Sequence, residues 1–374
     1  MMHLIITLNL CLANAQENRL DKLQNKEWEA VFGDNKYSYL KSAAIADPKD
    51  GSIYISGHYL LAEQIVPPVV EGLWIWKINS KGEKVIDVRI VNKDEKKYNR
   101  VQSLAIAEDN NIVLVAETDN GIAELLRVRS DGIVLSIKKM SAGFHIKKIL
   151  SIDKALLLIG SKYNSSLIRK VDLNGENVWE KVDNKNLRSM FVDGISTPDN
   201  GFFLIQNSGE NVVSKLSYSE FRIGKYDSEG NEIAGKSFPG QCKSLSHGNG
   251  VSYAIVYDNI DAVEQSVRVM VFDINLKEKW TATVDSDKKG LVFIKIAALR
   301  NGGYIVVGQK VIYAWVSYID DAGIKKWNFY NQALEPSPSI DLVSDGKNCF
   351  LISSVSSVNE HDKAIKNKVV KFIP

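Results

Sequence analysis

Short apolar runs bounded by turn residues recur along the whole chain. Clear examples are Ile53-Tyr54-Ile55, Phe202-Phe203-Leu204 and Tyr304-Ile305-Val306-Val307. Each follows an Asx-Gly pair, namely Asp50-Gly51, Asn200-Gly201 and Asn301-Gly302. Such a pair between apolar runs is a strong hairpin signal, because its backbone turns through the left-handed region at little cost. Weaker copies start at Asn110-Asn111, Asp153-Lys154, Gly248-Asn249 and Asp345-Gly346. The pattern predicts seven hairpins.

A second signal follows most of them, with the form Asp-x-x-Gly-x-x-x-Trp. It is complete at Asp172, Gly175 and Trp179, and again at Asp320, Gly323 and Trp327. Asp273 and Trp280 keep the spacing with Leu276 in place of glycine, and Asp227 and Gly230 keep the turn with Ala234 in place of tryptophan. Asn79, Gly82 and Ile86 form another copy, and Asp131-Gly132 with Ile137 a weaker one. The Asp or Asn caps backbone amides of a turn, the glycine supplies a positive φ, and the Trp opens the next strand and fills the gap between neighbouring sheets. The turn positions lie 43 to 55 residues apart. That period suits the four-stranded blade of a β-propeller.

Seven hairpins stand against six turn-and-Trp endings. The chain reaches Val369-Val370-Lys371-Phe372 and stops at Pro374 before the seventh ending, while Glu27-Trp28-Glu29-Ala30-Val31-Phe32 reads as a lone copy of the strand that follows the turn. The expected fold is therefore all-β: a seven-bladed β-propeller of four-stranded blades over residues 28–374, closed by an N-terminal strand around Trp28 that completes the last blade.

Composition fits this reading and narrows the compartment. The chain of 374 residues is 45% hydrophobic and 25% charged, enough to fill a core. Its 47 basic and 45 acidic residues nearly cancel, which argues against a nucleic-acid binder. No apolar stretch reaches the roughly 18 residues of a spanning helix, so no transmembrane segment is expected. The apolar stretch Leu4 to Leu12 followed by Ala13-Asn14-Ala15 reads as a secretory signal peptide over residues 1–15, with a linker over 16–27, although no Lys or Arg precedes it. Cys11 is preceded by bulky Leu10, which fits a lipoprotein signal poorly. The expected location is secreted or periplasmic. Cys242 and Cys349 fall in different repeats and are expected as isolated buried thiols.

The units resemble a broad group of bacterial exported β-propellers, with Asp-Gly-Gly-Tyr hairpins followed by Trp-Leu-x-Lys-Leu-Asp-x-x-Gly-x-x-x-Trp. The best match runs from Gly302 to Trp327, followed by Leu73 to Ile86 and Leu167 to Trp179. More loosely, they are similar to quinoprotein-type propeller repeats, among them an outer-membrane assembly lipoprotein that binds no quinone. The resemblance implies a fold and an export route. It implies no activity, because propellers host many unrelated functions.

No reaction motif is present. His3, His58, His145, His247 and His361 show no metal-ligand spacing, so no metal site and no cofactor are expected. Gly248-Asn249-Gly250 lacks the third glycine and the following helix of a dinucleotide loop. Asp47-Pro48-Lys49-Asp50 and Asp320-Asp321 lack the oxygen set of a calcium loop. Catalytic residues are unassigned. One pattern points to a site: Lys41, Arg100, Lys147, Lys148, Arg188, Lys243 and Lys295 lie just before or within the innermost strand of most repeats. Gathered around the central channel, they would favour an anionic ligand. The expected function is a non-catalytic exported binding or scaffold protein for a protein or surface polymer, an anionic one if these cations converge. The alternative is a polysaccharide hydrolase or lyase working at the channel mouth, which needs converging acid and base groups.

Overall fold

The structure, a computed structural model, describes residues 26–62, 69–92, 97–140, 143–162, 165–183, 189–212, 215–248, 252–260, 265–285, 291–300, 302–310, 313–332, 340–356 and 364–372. The expected leader, most of the linker, Arg188, His3 and His361 lie outside the described residues. Seven antiparallel four-stranded sheets form from strands β1 to β28, taken in chain order. Blade 1 runs from β2 (Tyr37–Ala46) to β5 (Lys84–Val91), and blade 2 from β6 (Tyr98–Ile106) to β9 (Val134–Lys139). Blade 3 runs from β10 (Phe144–Ile152) to β13 (Asn177–Asp183), and blade 4 from β14 (Ser189–Ser196) to β17 (Glu232–Pro239). Blade 5 runs from β18 (Gln241–His247) to β21 (Glu278–Asp285), and blade 6 from β22 (Leu291–Ala298) to β25 (Lys325–Gln332). Blade 7 takes β26 (Ile340–Ser344), β27 (Cys349–Ser356) and β28 (Ile365–Phe372) from the C-terminal end, and β1 (Lys26–Phe32) as its outermost strand. The pairing of β1 with β28, with Trp28 opposite Lys371, is the closure expected from the sequence.

Burial is organised by blade boundary. Seven apolar clusters occur among the described residues, one at each boundary between neighbouring blades. The boundary between blades 7 and 1 is the most aromatic: the rings of Trp74 and Trp76 meet tilted at 4.2 Å, Tyr39 lies 4.9 Å from Trp76, and Trp28 lies 6.1 Å from Phe350. The ring is thus closed where its two chain ends meet, by large rings that bury much area.

The turn motif explains how a blade engages the next. Asp172 Oδ1 accepts the amides of Asn174 and Glu176, and Asn79, Asp227, Asp273 and Asp320 repeat this cap. The turn glycine has a positive φ, for example +71° at Gly230, and the preceding blade's tryptophan lies against it. Trp28 covers Gly82, Trp179 covers Gly230, and Trp280 covers Gly323. The indole N–H groups of Trp28 and Trp280 donate to the turn carbonyls of Ser80 and Asp321 at 2.9 and 2.8 Å. Where blade 4 carries Ala234 in place of tryptophan, the next turn carries Leu276 in place of glycine. Leu276 accepts φ +61° and sits in the cluster between blades 4 and 5. The large and small residues have exchanged sides of the boundary.

Gly230→Ala is expected to cost about 2–4 kcal/mol, since the left-handed backbone penalises a side chain and the new methyl overpacks against Trp179. A Cβ there would lie 2.6 Å from Cη2 of that ring. Gly121→Ala is the control: its φ is +75° with nothing within 4 Å, so only the backbone cost of about 1–2 kcal/mol applies. Urea unfolding of both variants separates the two contributions.

The segment from Asn207 to Phe221 is a paired β-arm. β15 (Phe202–Val212) and β16 (Lys215–Tyr226) stay paired out to Val212 opposite Lys215, with one register shift between Ser208 and Gly209, past the ends of β14 and β17. Cys242 and Cys349 are free and buried, and burial raises both thiol pKa values. No helix among the described residues is long and apolar enough to cross a membrane.

Candidate functional site

The innermost strands β2, β6, β10, β14, β18, β22 and β26 pack side by side in a closed ring around a central channel. Six of them carry a β-bulge, at Ser42, Gln102, Lys147, Val192 and Lys243, and in β22 at Val292 near the start of the strand. A bulge adds one residue and re-aims the side chains beyond it. Just past it, opposite the fourth residue of the second strand, stand Ala43, Ser103 and Asp193, with Lys295 and Asp341 at the matching place in blades 6 and 7 and Ser244 opposite the fifth residue in blade 5. In blade 3 Lys148 takes this level.

These residues form a girdle of opposite charges. Asp341 is shared by two lysines: Lys41 Nζ donates to Oδ2 at 3.0 Å, and Lys295 Nζ donates to Oδ1. The backbone N–H of Leu342 adds a third donor. Burial disfavours the Asp341 carboxylate, but the ammonium groups of Lys295 and Lys41 outweigh it and hold the pKa well below the usual range. Across the channel, Lys148 Nζ lies 2.9 Å from Asp193 Oδ1. Asp193 also accepts the amides of Gly194 and Leu245 and the hydroxyl of Ser244, so it ties blade 4 to blade 5. Burial works against the Lys148 ammonium, yet Asp193 and, further off, Asp341 hold its pKa above normal. Burial also lowers the pKa of Lys41 despite Asp341.

From this girdle a funnel of about 680 Å³ runs to the loops that join the first and second strands. Pro48, Gly248, Arg300 and Gly346 stand at its mouth, and Ile106, Leu150, Ile195 and Leu245 are among the apolar residues of its wall. His247 is also on the wall, with burial lowering its pKa and Tyr253 edge-on at 5.1 Å.

Of the seven cations singled out in the sequence, Lys41, Lys148 and Lys295 meet in the girdle. Arg100 and Lys243 instead pair beside the inner strands, with Glu117 at 2.8 Å and Asp258 at 3.3 Å. Lys147 is the bulge residue of β10 and is exposed. The two aspartates were missed. A positional signal existed for Asp193, since Ser103, Asp193 and Lys295 each lie nine positions before the next strand's first residue, namely Ile112, Phe202 and Tyr304, whereas Ser244 and Asp341 lie eight before Ser252 and Cys349. Among the described residues no group of three or more His, Cys, Asp or Glu is placed to hold a metal ion. His58 and His145 lie on β3 (Ile53–Leu61) and β10, away from the funnel.

No protein-family model matches the chain, and no curated protein matches it. Solved structures do share the fold. The Dos1 propeller superposes with a TM-score of 0.56 at 10% identity, covering 96% of both chains. A chain of Drosophila Plexin A in complex with Semaphorin 1b gives 0.54 at 8% identity, covering 94% of this chain and 88% of that one. The WD40 domain of Toxoplasma gondii coronin gives 0.52 at 9% identity, covering 93% and 86%. At these identities the likeness is one of architecture: the chain is similar to them as a β-propeller.

Proposed function

We propose that this protein is a non-catalytic, exported binding or scaffold protein whose partner, a protein or an anionic surface polymer, presents an acidic group to the central funnel. One observation carries the docking part. Lys148 and Lys295 expose 38% and 32% of their side chains, whereas Asp193 and Asp341 expose only 11% and 6%. The girdle is nearly balanced in charge, but its accessible side is cationic, and at the mouth Arg300 is exposed while Asp345 is buried. A cleft lined by one sign of charge focuses its field on ligands of the other sign. Export rests on the signal-like residues 1–15 and on the resemblance to exported propeller repeats. The hydrolase or lyase alternative calls for a carboxyl that keeps its proton near neutral pH. Asp341 is driven the other way.

The test is retention of polymers on the immobilised full chain. Carboxymethyl-dextran is expected to bind at low salt and neutral dextran to pass through. Arg300→Glu is expected to weaken retention about tenfold, with most of the loss in association rate. Equal retention of the neutral polymer, or indifference to Arg300→Glu, contradicts the docking reading.

A further inference from the structure

We propose that Lys148 and Lys295 act as the two arms of a clamp that grips a single carboxylate at the floor of the funnel. The proposal rests on the docking reading above and names the group that is docked. Blades 3 and 6 are three steps apart in a ring of seven, so their lysines face each other across the lumen. Each is about one-third exposed, and each can turn its ammonium toward the lumen without orphaning its aspartate. If Lys148 turns away, Asp193 keeps the amides of Gly194 and Leu245 and the Ser244 hydroxyl. If Lys295 turns away, Asp341 keeps Lys41 and the Leu342 amide. The third lysine has no such freedom, because the Lys41 side chain is 5% exposed and its ammonium is committed to Asp341. The structure therefore divides its channel lysines into one fixed and two movable groups.

Charge count selects the ligand class. Among the described residues the girdle holds three lysines and two aspartates, which leaves one positive charge uncompensated. A monoanion neutralises it, while a dianion such as a phosphate monoester would leave an excess negative charge in a confined space, where electrostatic interactions are strengthened. Two ammonium groups approaching from opposite sides can each meet one oxygen of a carboxylate in charge-assisted hydrogen bonds. Above the floor, Ala44, Ile106, Leu150, Ile195, Leu245 and Ala298 line the funnel. Ser151, Ser196, Ser246 and Ser344 interrupt this wall, so the body that carries the carboxylate is slender and amphipathic. Both an amphipathic carboxylic acid and an acidic side chain flanked by apolar residues on a partner protein have this chemistry.

Calorimetric titration of the full chain tests the clamp. The probes are octanoate, octanol, octyl phosphate, and a capped Ala-Leu-Glu-Leu-Ala peptide with its Gln counterpart. At least one carboxylate probe is expected to bind one per chain, with octanol, octyl phosphate and the Gln peptide at least about tenfold weaker. Lys148→Met and Lys295→Met, which keep the side-chain length and remove the charge, are each expected to weaken binding about tenfold or more, and Lys148→Arg and Lys295→Arg to restore most of it. If a Met variant fails to fold, the wild-type ranking of octanoate over octanol and octyl phosphate decides alone. Octanoate without the Glu peptide points to a free acid, and the peptide without octanoate to a partner's side chain. The clamp is overturned if the neutral probes bind as well as the carboxylates, or if both folded Met variants bind unchanged. Should carboxymethyl-dextran still depend on Arg300 in that case, docking at the mouth stands and only the clamp falls. Loss of both sinks both readings.

Discussion

Asp341→Asn is expected to destabilise the protein by about 3–5 kcal/mol, because it leaves a buried charge without its partner. Lys41 is 5% exposed, and the carboxylate of Asp341 is its ion-pair partner. Lys295 loses the same partner but can reach water through its exposed side. The double variant Lys41→Met with Asp341→Asn is expected to recover much of the loss, since removing both members of a buried pair costs far less than removing one. Urea unfolding of the two single variants and the double gives the coupling directly. The pH dependence has a definite sign. The folded-state pKa of Asp341 lies below its unfolded value, so its contribution is fully present above about pH 4 and fades as the pH falls through the folded value. The gap between wild type and Asp341→Asn should therefore narrow on acidification below about pH 4. A gap that stays constant down to the acid transition contradicts this assignment.

Removing residues 1–33 is expected to cost on the order of 5 kcal/mol, because two large, partly buried aromatic side chains and a full strand pairing are lost together. β1 supplies Trp28 and Phe32 to the cluster between blades 7 and 1, with Phe32 6.2 Å from Trp76. It also pairs with β28 along Lys26 to Phe32 and adds the ion pairs Glu27 with Lys371 and Glu29 with Lys368, both at 2.5 Å. Without it, β28 becomes an open edge, which invites association between chains. The truncated chain should unfold at lower temperature and elute as aggregates, and a peptide spanning residues 26–33 should restore the monomer by strand addition. An unchanged melting temperature after truncation contradicts the closure.

The architecture was legible in the sequence for a definite reason. Each blade repeats the same turn chemistry, and the turn's Asp, its Gly and the following Trp act within a few residues of one another or on the adjacent blade. The missing seventh ending and the lone Trp28 strand even gave the closure. The girdle was less legible because its partners are remote. Lys41 and Asp341 are 300 residues apart and meet only when the ring closes. The bulges in the inner strands shift the register by a residue, so Lys147 and Lys148 or Lys41 and Ala43 cannot be aligned by eye as equivalent. Counting cations along the chain picked out Lys41, Lys148 and Lys295 together with Arg100 and Lys243, which the fold sends to Glu117 and Asp258 instead. The aspartates that set the electrostatics of the channel carry no motif of their own. The exchange of Trp and Gly for Ala234 and Leu276 departs from the repeat in sequence, and in the fold it is a packing swap that places Leu276 in the cluster between blades 4 and 5.

The most direct measurement of the central claim is a crystal structure of the full chain grown with 4-iodobenzoate, with the iodine located by anomalous scattering. The account predicts one strong site in the funnel, with the carboxylate between the ammonium groups of Lys148 and Lys295, the iodine against the apolar wall, and Lys41 still bound to Asp341. Iodine found only outside the funnel, or a funnel that stays free of the probe while Lys148 and Lys295 keep their present partners, would contradict it.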